Sequence, residues 1–283
     1  MLDKRERNIE IFEDTERLYE SDRALKESIG KSVHEQRFFA ENEKIDIGDK
    51  ILRTEKTEIK VSEKRTLEAA SLYAGKGRKT CILNFASATN PGGGVTRGSS
   101  AQEECICRCS TLYACLNTKE MWDKFYGPHR KANNRLYNDD IIYTPGVKVF
   151  KGDTAFPQEM QRSNWYDVNV ITCAAPNLRD DSDNYMNPGA GVKVAKVTDK
   201  KLEELLTNRV RRIFEVAVWG ENKVLILGAF GCGAFRNPPE IVAKVFKRVM
   251  EEYRGYFEII EYAVYHGERD VNNYISFKRE LKE

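Results

Sequence analysis

The sequence predicts an α/β protein, a layered domain in which helices cover both faces of a mixed sheet, preceded by a helical N-terminal extension. Three observations carry this reading. From Thr80 onward, apolar runs of strand length alternate with segments of helical period. At two junctions between such a run and a helix the chain is rich in glycine, as a loop lying close against a ligand must be. Residues 1–75, by contrast, are dense in charge and contain no proline, which suits helices laid on a larger body.

Within that N-terminal region Ile11, Leu18 and Leu25 recur seven apart, with Phe12 and Tyr19 beside them, predicting one helix with a narrow apolar stripe. Residues 45–61 alternate loosely and read as a short hairpin, and 63–73 as a second helix ending at Gly75. The domain proper is expected over 76–283. Its strands are read at 81–83, 141–143, 168–172, 224–229 and 257–264, and its helices at 101–116, 199–218, 238–253 and 272–282. Residues 179–191 are polar and Asn/Asp-rich enough to form a mobile loop. Alternation of this kind puts a ligand site beyond the C-termini of the strands.

Composition narrows the function classes. With 41% hydrophobic and 32% charged residues in a chain of 283, the sequence is that of a soluble globular protein with one large core and an appendage. No apolar run approaches the ~18 to 20 residues needed to span a bilayer. The first twenty residues are charged throughout and lack the apolar stretch of a secretory signal, so a reducing cytoplasm, or a nucleus in a eukaryote, is the expected compartment. Seven cysteines, an odd number lying partly in apolar runs, give no disulfide framework. A net charge of +2 provides no broad field for nucleic acid, and any polyanion must be gripped locally. Arg209, Arg211 and Arg212 read as a solvated helix face.

The segment from Asn84 to Glu104, NFASATNPGGGVTRGSSAQEE, is the most informative. A strand ends near Phe85, Asn90 and Pro91 turn the chain, and Gly92, Gly93 and Gly94 allow close backbone approach to a ligand. Ser99 or Ser100 is placed to cap the next helix, whose first turn holds Gln102, Glu103 and Glu104. Two acids there are also favoured by the helix dipole alone. Adjacent helical residues point ~100° apart, so the two carboxylates should divide their labour. The second segment, GAFGCGAFRNPP, spans Gly228 to Pro239 between a buried strand and a helix, where backbone amides can cradle phosphate. It lacks the GK[ST] ending of a P-loop and the spacing of a dinucleotide fingerprint. Phe230 and Phe235 would wall a ribose or base there, or else fill the core. Cys105, Cys107 and Cys109 alternate along a helix, so they cannot converge on a metal, and none is expected.

Taken together and in this order, the two segments resemble the microbial poly(ADP-ribose) glycohydrolases, macrodomain proteins marked by GGG, a spacer of six to eight residues, and QEE. Here Val95 to Ala101 supply a spacer of seven, and TCAAPN at 172–177 and IEIFEDT in the N-terminal helix agree further. The resemblance implies a three-layer α/β/α macrodomain and cleavage of the ribose–ribose bond in poly(ADP-ribose), without a cofactor. It implies Glu104 as the acid/base, Glu103 holding ribose hydroxyls, and Asn90 bonding the distal ribose. Gly92, Gly93 and Gly94 would lie against that ribose, Gly231, Cys232 and Gly233 would wrap the diphosphate, and Phe235 would pack over the distal ribose. Gln102 and Ala234 join the ligand-contacting positions. The N-terminal segment would close over the terminal unit and favour trimming from chain ends.

As a general acid Glu104 must hold a proton near neutrality, which Glu103 and desolvation favour and the helix N-terminus opposes. The implied partners are ADP-ribose polymer and ADP-ribosylated proteins, with ADP-ribosylated nucleic acid as a further class; the chain is expected to be a monomer. Removal of single ADP-ribose groups by the same pocket is the alternative enzymatic reading. A non-catalytic ADP-ribose-binding macrodomain is the rival from another class, from which the acidic pair distinguishes this chain.

Overall fold

The computed structural model describes residues 3–48, 56–180, 196–267 and 271–281. Among them, seven strands form one mixed sheet: β1 (Arg37–Phe39), β2 (Glu58–Ser62), β3 (Thr80–Phe85), β4 (Ile141–Val149), β5 (Tyr166–Cys173), β6 (Val224–Leu227) and β7 (Ile259–Ala263). Their order is β1-β4-β5-β3-β6-β7-β2. From β5 to β2 every pair is parallel, while β4 runs antiparallel to both of its neighbours. The helices are α1 (Lys4–Ser21), α2 (Arg23–Glu35), α3 (Thr66–Ala74), α4 (Gln102–Cys109), α5 (Leu112–Leu116), α6 (Lys119–Met121), α7 (Gly127–Ala132), α8 (Asp199–Trp219), α9 (Pro239–Tyr253) and α10 (Asn272–Glu280).

Successive strand residues face opposite sides of the sheet, and this alternation builds two cores. Cys81 and Leu83 of β3 and Ile171 of β5 pack beneath α8 and α9, against Leu206, Val210, Phe214 and Phe246. Ile82, Val170 and Ile226 face the other way, onto Leu67 and Ala70 of α3 and Ile106 of α4. The result is the three-layer arrangement the sequence predicted. Asn84 shares the parity of Ile82, so its buried side chain faces the layer that contains α4.

Several elements differ from expectation. The single N-terminal helix is two, because Asp22 ends α1 and its carboxylate caps α2 through the amides of Ala24 and Leu25. The buried stripe of α1 is Asn8, Phe12, Thr15 and Tyr19, one position away from Ile11 and Leu18. No hairpin forms at 58–62, where β2 pairs in parallel with β7; residues 49–55 of that stretch lie outside the described residues. Residues 37–39 and 58–62 thus supply both edges of the sheet. The helix expected over 101–116 breaks after Cys109, where the Ser110 hydroxyl bonds back to the Ile106 carbonyl. Of the loop expected at 179–191, only Arg179 and Asp180 are described. All seven cysteines are free thiols.

The arginine cluster also departs from its solvated reading. Arg209 is fully buried, its Nε 2.7 Å from Asp139 Oδ1 and its Nη1 donating to the carbonyls of Leu136 and Ala174. Arg212 ties the carbonyls of Ala40, Glu43 and Asp139 together, and only Arg211 pairs near the surface, with Glu252. Removing one partner of a buried, hydrogen-bonded pair strands the others. Arg209→Ala is therefore expected to lower stability by about 3 kcal/mol, against less than about 0.5 kcal/mol for Arg211→Ala, as read from urea unfolding midpoints.

Candidate active site

β3 ends at Phe85, and Gln102 fastens the start of α4 to it. The Gln102 side chain accepts from the Phe85 amide at 2.9 Å and donates to the Leu83 carbonyl at 2.7 Å and to Thr66 Oγ1 at 3.1 Å. One amide side chain thus serves as a strand partner at the end of β3, and both its ends are engaged. Neither serine caps α4. The N-cap is Ala101, and Ser99 instead offers its carbonyl to Arg108 at 2.6 Å.

This docking brings both carboxyl groups inside, Glu103 at 2% and Glu104 at 7% exposure. Glu103 Oε2 accepts from the Ser87 amide at 2.7 Å, and its Oε1 from Asn84 Nδ2 at 3.2 Å. The Gly92 amide supplies a further donor. Glu104 Oε1 accepts from the Gly94 amide at 2.9 Å, whereas its Oε2 is buried without a partner among the described residues. The ~100° divergence of adjacent helical side chains is accommodated because the loop passes between them. Gly93 has φ +59°, and a Cβ there would stand 2.6 Å from Glu104 Oε1 and 3.1 Å from Glu103 Oε2.

The second loop closes on the segment after β5. Asn237 Nδ2 donates to the Pro176 carbonyl at 2.7 Å and the Gly231 carbonyl at 3.1 Å, and the Leu178 amide bonds the Phe235 carbonyl at 2.9 Å. Gly231 has φ +75°, with room for no side chain: a Cβ would sit 2.5 Å from Ala175 Cβ. Gly233 faces open space instead. Phe230 is core, in edge contact with Phe85 at 5.8 Å, while Phe235 is half-buried.

Both loops open onto one cleft of about 950 Å³, whose walls include Gly93, Gly94, Gln102, Glu103, Glu104, Gly231, Gly233, Ala234 and Phe235. Asn90, Gly92 and Cys232 are not among its lining residues. The side-chain oxygen of Asn90 is held by Arg130, which also donates to the Thr89 carbonyl at 2.7 Å and lies 4.6 Å from the centre of the Trp122 ring. α1 forms part of the wall, fixed by Asn8 to the Gly98 carbonyl at 3.0 Å and by Thr15 to the Arg108 carbonyl at 2.6 Å. Sequence reasoning missed Asn84, Ser87 and Arg130, whose partners are distant in the chain or are backbone groups. It also missed Tyr265, half exposed in the cleft wall beneath the Arg65 guanidinium at 4.0 Å.

Burial holds both carboxyls above the usual carboxylate range, Glu103 further because Glu104 stands beside it. Desolvation therefore outweighs the helix N-terminus. The groups around Glu103 are all donors and suit an ionised acceptor; the bare oxygen of Glu104 can carry a proton. The stronger upward shift at Glu103 would by itself put a shared proton there, but the donors on both Glu103 oxygens and the unpartnered Oε2 of Glu104 favour Glu104 as its holder.

Two outcomes follow from this asymmetry. Glu104→Gln removes an ionisable group from the cleft while Oε1 keeps its donor, so it should raise the melting temperature, whereas Glu103→Gln turns an amide toward donors and should lower it; calorimetry of the two variants reads the difference. A carboxyl raised in the folded state binds its proton more tightly there than in the unfolded chain. Stability should accordingly fall as pH rises from the ordinary carboxylate range through the raised one, and Glu104→Gln should flatten that slope in urea titrations at successive pH values.

The family model for the microbial-type PARG catalytic domain matches residues 6–152, more than half of the chain. The crystal structure of poly(ADP-ribose) glycohydrolase (PARG) from Thermomonospora curvata superposes with a TM-score of 0.82 at 28% identity, covering 97% of this chain and 99% of that one. The same protein bound to the inhibitor ADP-HPD gives 0.80 at 29% identity over the same shares. A PARG variant from Deinococcus radiodurans in complex with ADP-ribose gives 0.76 at 32% identity, covering 90% of this chain and 97% of that one. No curated protein sequence matches. By family model, identity and coverage, this chain belongs to the microbial-type poly(ADP-ribose) glycohydrolases, with their macrodomain-like fold.

Proposed function

We propose that the cleft binds the terminal ADP-ribose of poly(ADP-ribose) and hydrolyses its ribose–ribose bond, with Glu104 as acid and then base. The observation that carries this reading is the buried Glu104 carboxyl in the wall of a cleft shared with a glycine-rich loop, one oxygen anchored on the Gly94 amide and the other buried without a partner among the described residues. In that loop the amides of Cys232, Arg236 and Asn237 bond within the loop, and those of Gly233, Ala234 and Phe235 have no recorded acceptor among the described residues. Free amides of this kind suit the diphosphate. Tyr265, exposed beside Arg65, offers a face for the adenine, and Phe235 one for the distal ribose.

The departing ribose oxygen takes the Glu104 proton as its bond to the anomeric carbon breaks, and positive charge develops on the sugar. Glu103, held as a carboxylate, stabilises that charge and accepts ribose hydroxyls. Water then attacks the anomeric carbon and returns a proton to Glu104, which closes the cycle. Asn90, held by Arg130, supports the ribose from behind the glycine loop. The helices of residues 1–75 act as an accessory wall, and polymer-bearing proteins are the substrates delivered to it. This is why Glu103 and Glu104 favour an enzyme over a binding module.

The test is release of ADP-ribose from polymer and from singly modified protein. Wild type should act on polymer, and Glu104→Gln should lose ~10² to 10⁴ in kcat while its Kd for ADP-ribose, from calorimetry, stays within a few fold. The rate should fall on the alkaline side as Glu104 loses its proton. Release from singly modified protein alone would replace this reading with the mono-ADP-ribosyl one, and binding without turnover would replace it with a reader.

A further inference from the structure

We infer that the outer end of the cleft holds a second nucleotide subsite, built from Phe156, Arg7, Lys4 and Arg5, which takes the adenine and pyrophosphate of the polymer unit adjoining the one cleaved. The inference rests on the proposed polymer hydrolysis and extends it. Phe156 is 52% exposed, and the Arg7 guanidinium lies over one face of its ring, 4.7 Å from the centre. Ala155 and Pro157, which flank it in sequence, line the cleft, and so do Lys4 and Arg5 from the first turn of α1. An exposed aromatic beside cations is the pairing that single-stranded nucleotide chains bind, bases stacking on the ring and phosphates meeting the charges.

The charge at this end is uncompensated. Among the described residues, Lys4, Arg5 and Arg7 make no ion pair. Of the acids nearby, Asp3 and Glu6 cap α1, Asp14 pairs with Lys151 and Arg17, and Asp153 accepts from the Leu67 amide, while Glu10, one turn from Arg7, makes no ion pair among the described residues. Tyr265 with Arg65 forms an aromatic–cation pair in the cleft wall, and Phe156 with Arg7 forms a second just beside it, next to the lining residues Ala155, Pro157 and Arg5. At about 950 Å³ the cleft stands at the upper end of the ~300 to 1,000 Å³ that one small ligand occupies, which leaves room for part of a second unit. With a net charge of only +2 there is no extended field for a nucleic acid, and the ligand favoured is one whose first unit is already anchored.

Steady-state hydrolysis of long polymer by wild type, Phe156→Ala and Lys4→Ala/Arg7→Ala, alongside calorimetric titration with ADP-ribose, tests this. Phe156→Ala should raise KM for polymer about tenfold, with kcat and the ADP-ribose Kd changed less than twofold. The double variant should also flatten the dependence of that KM on salt. Phe156→Leu, which keeps apolar bulk without the ring, should behave as Phe156→Ala and covers the case in which alanine perturbs folding. An unchanged polymer KM would overturn the subsite while leaving the hydrolysis intact. An equal loss of ADP-ribose affinity would overturn it too, by assigning these residues to the first unit. Absence of polymer hydrolysis by wild type would remove the proposed function, and the subsite with it.

Discussion

Two buried carboxyl groups held apart by the backbone of Gly93 are the constraint on which the rest of the site depends. Carboxylates taken from water destabilise a fold unless donors replace the lost hydration. Those donors come from the end of β3 through Asn84 and from the loop amides of Ser87, Gly92 and Gly94. None is in place until α4 is docked on β3, and Gln102 performs that docking by bonding both the Leu83 carbonyl and the Phe85 amide. The site and this part of the fold therefore form together. One oxygen is left over, Glu104 Oε2, and its lack of a partner is tolerable because the carboxyl can hold a proton.

Much of this was legible in the sequence, for physical reasons that also mark where legibility stops. The parallel strands around β3 are buried on both faces and read as short apolar runs, and both glycine loops sit where those runs end. The edge strands carry no such signal. β1 has three residues, and β2 is only partly buried, so its alternation is faint. Arg209 looked solvated because the helical pattern of α8 treats a charge as outward-facing, and nothing local announces Asp139, seventy positions earlier, or the carbonyls that meet it. The expected serine cap failed for a similar reason. At the start of α4 the Gln102 side chain, bound to a strand, fixes the geometry that a hydroxyl would otherwise have set.

The N-terminal residues show how far a region that reads as an appendage is woven into the domain. Edge strands expose unpaired backbone groups and are commonly short or covered. Here β1 and β2 cap opposite edges, and the helices beside them do different work: α2 packs along β4, while α1 lies over the loop that carries the glycines. Asn8, Thr15 and Phe12 reach Gly98, Arg108 and Tyr113 respectively, all within or just after the glycine-to-glutamate segment. A helix laid there excludes water from one side of the carboxyl pair. The buried charge state and the N-terminal region are thus coupled through packing.

The division of labour between the two acids can be argued from hydrogen-bond valence alone. An ionised carboxylate only accepts, and Glu103 meets only donors; a protonated carboxyl must donate from one oxygen, and only Glu104 has an oxygen free to do so. Burial raises both, and their proximity means that ionising one hinders ionising the other. A ligand that seals the cleft would strengthen this asymmetry by further desolvating the carboxyl pair without touching the donors around Glu103. A carboxyl that keeps its proton in this way meets the requirement of the general acid proposed above, with a sugar oxygen as the proton's acceptor.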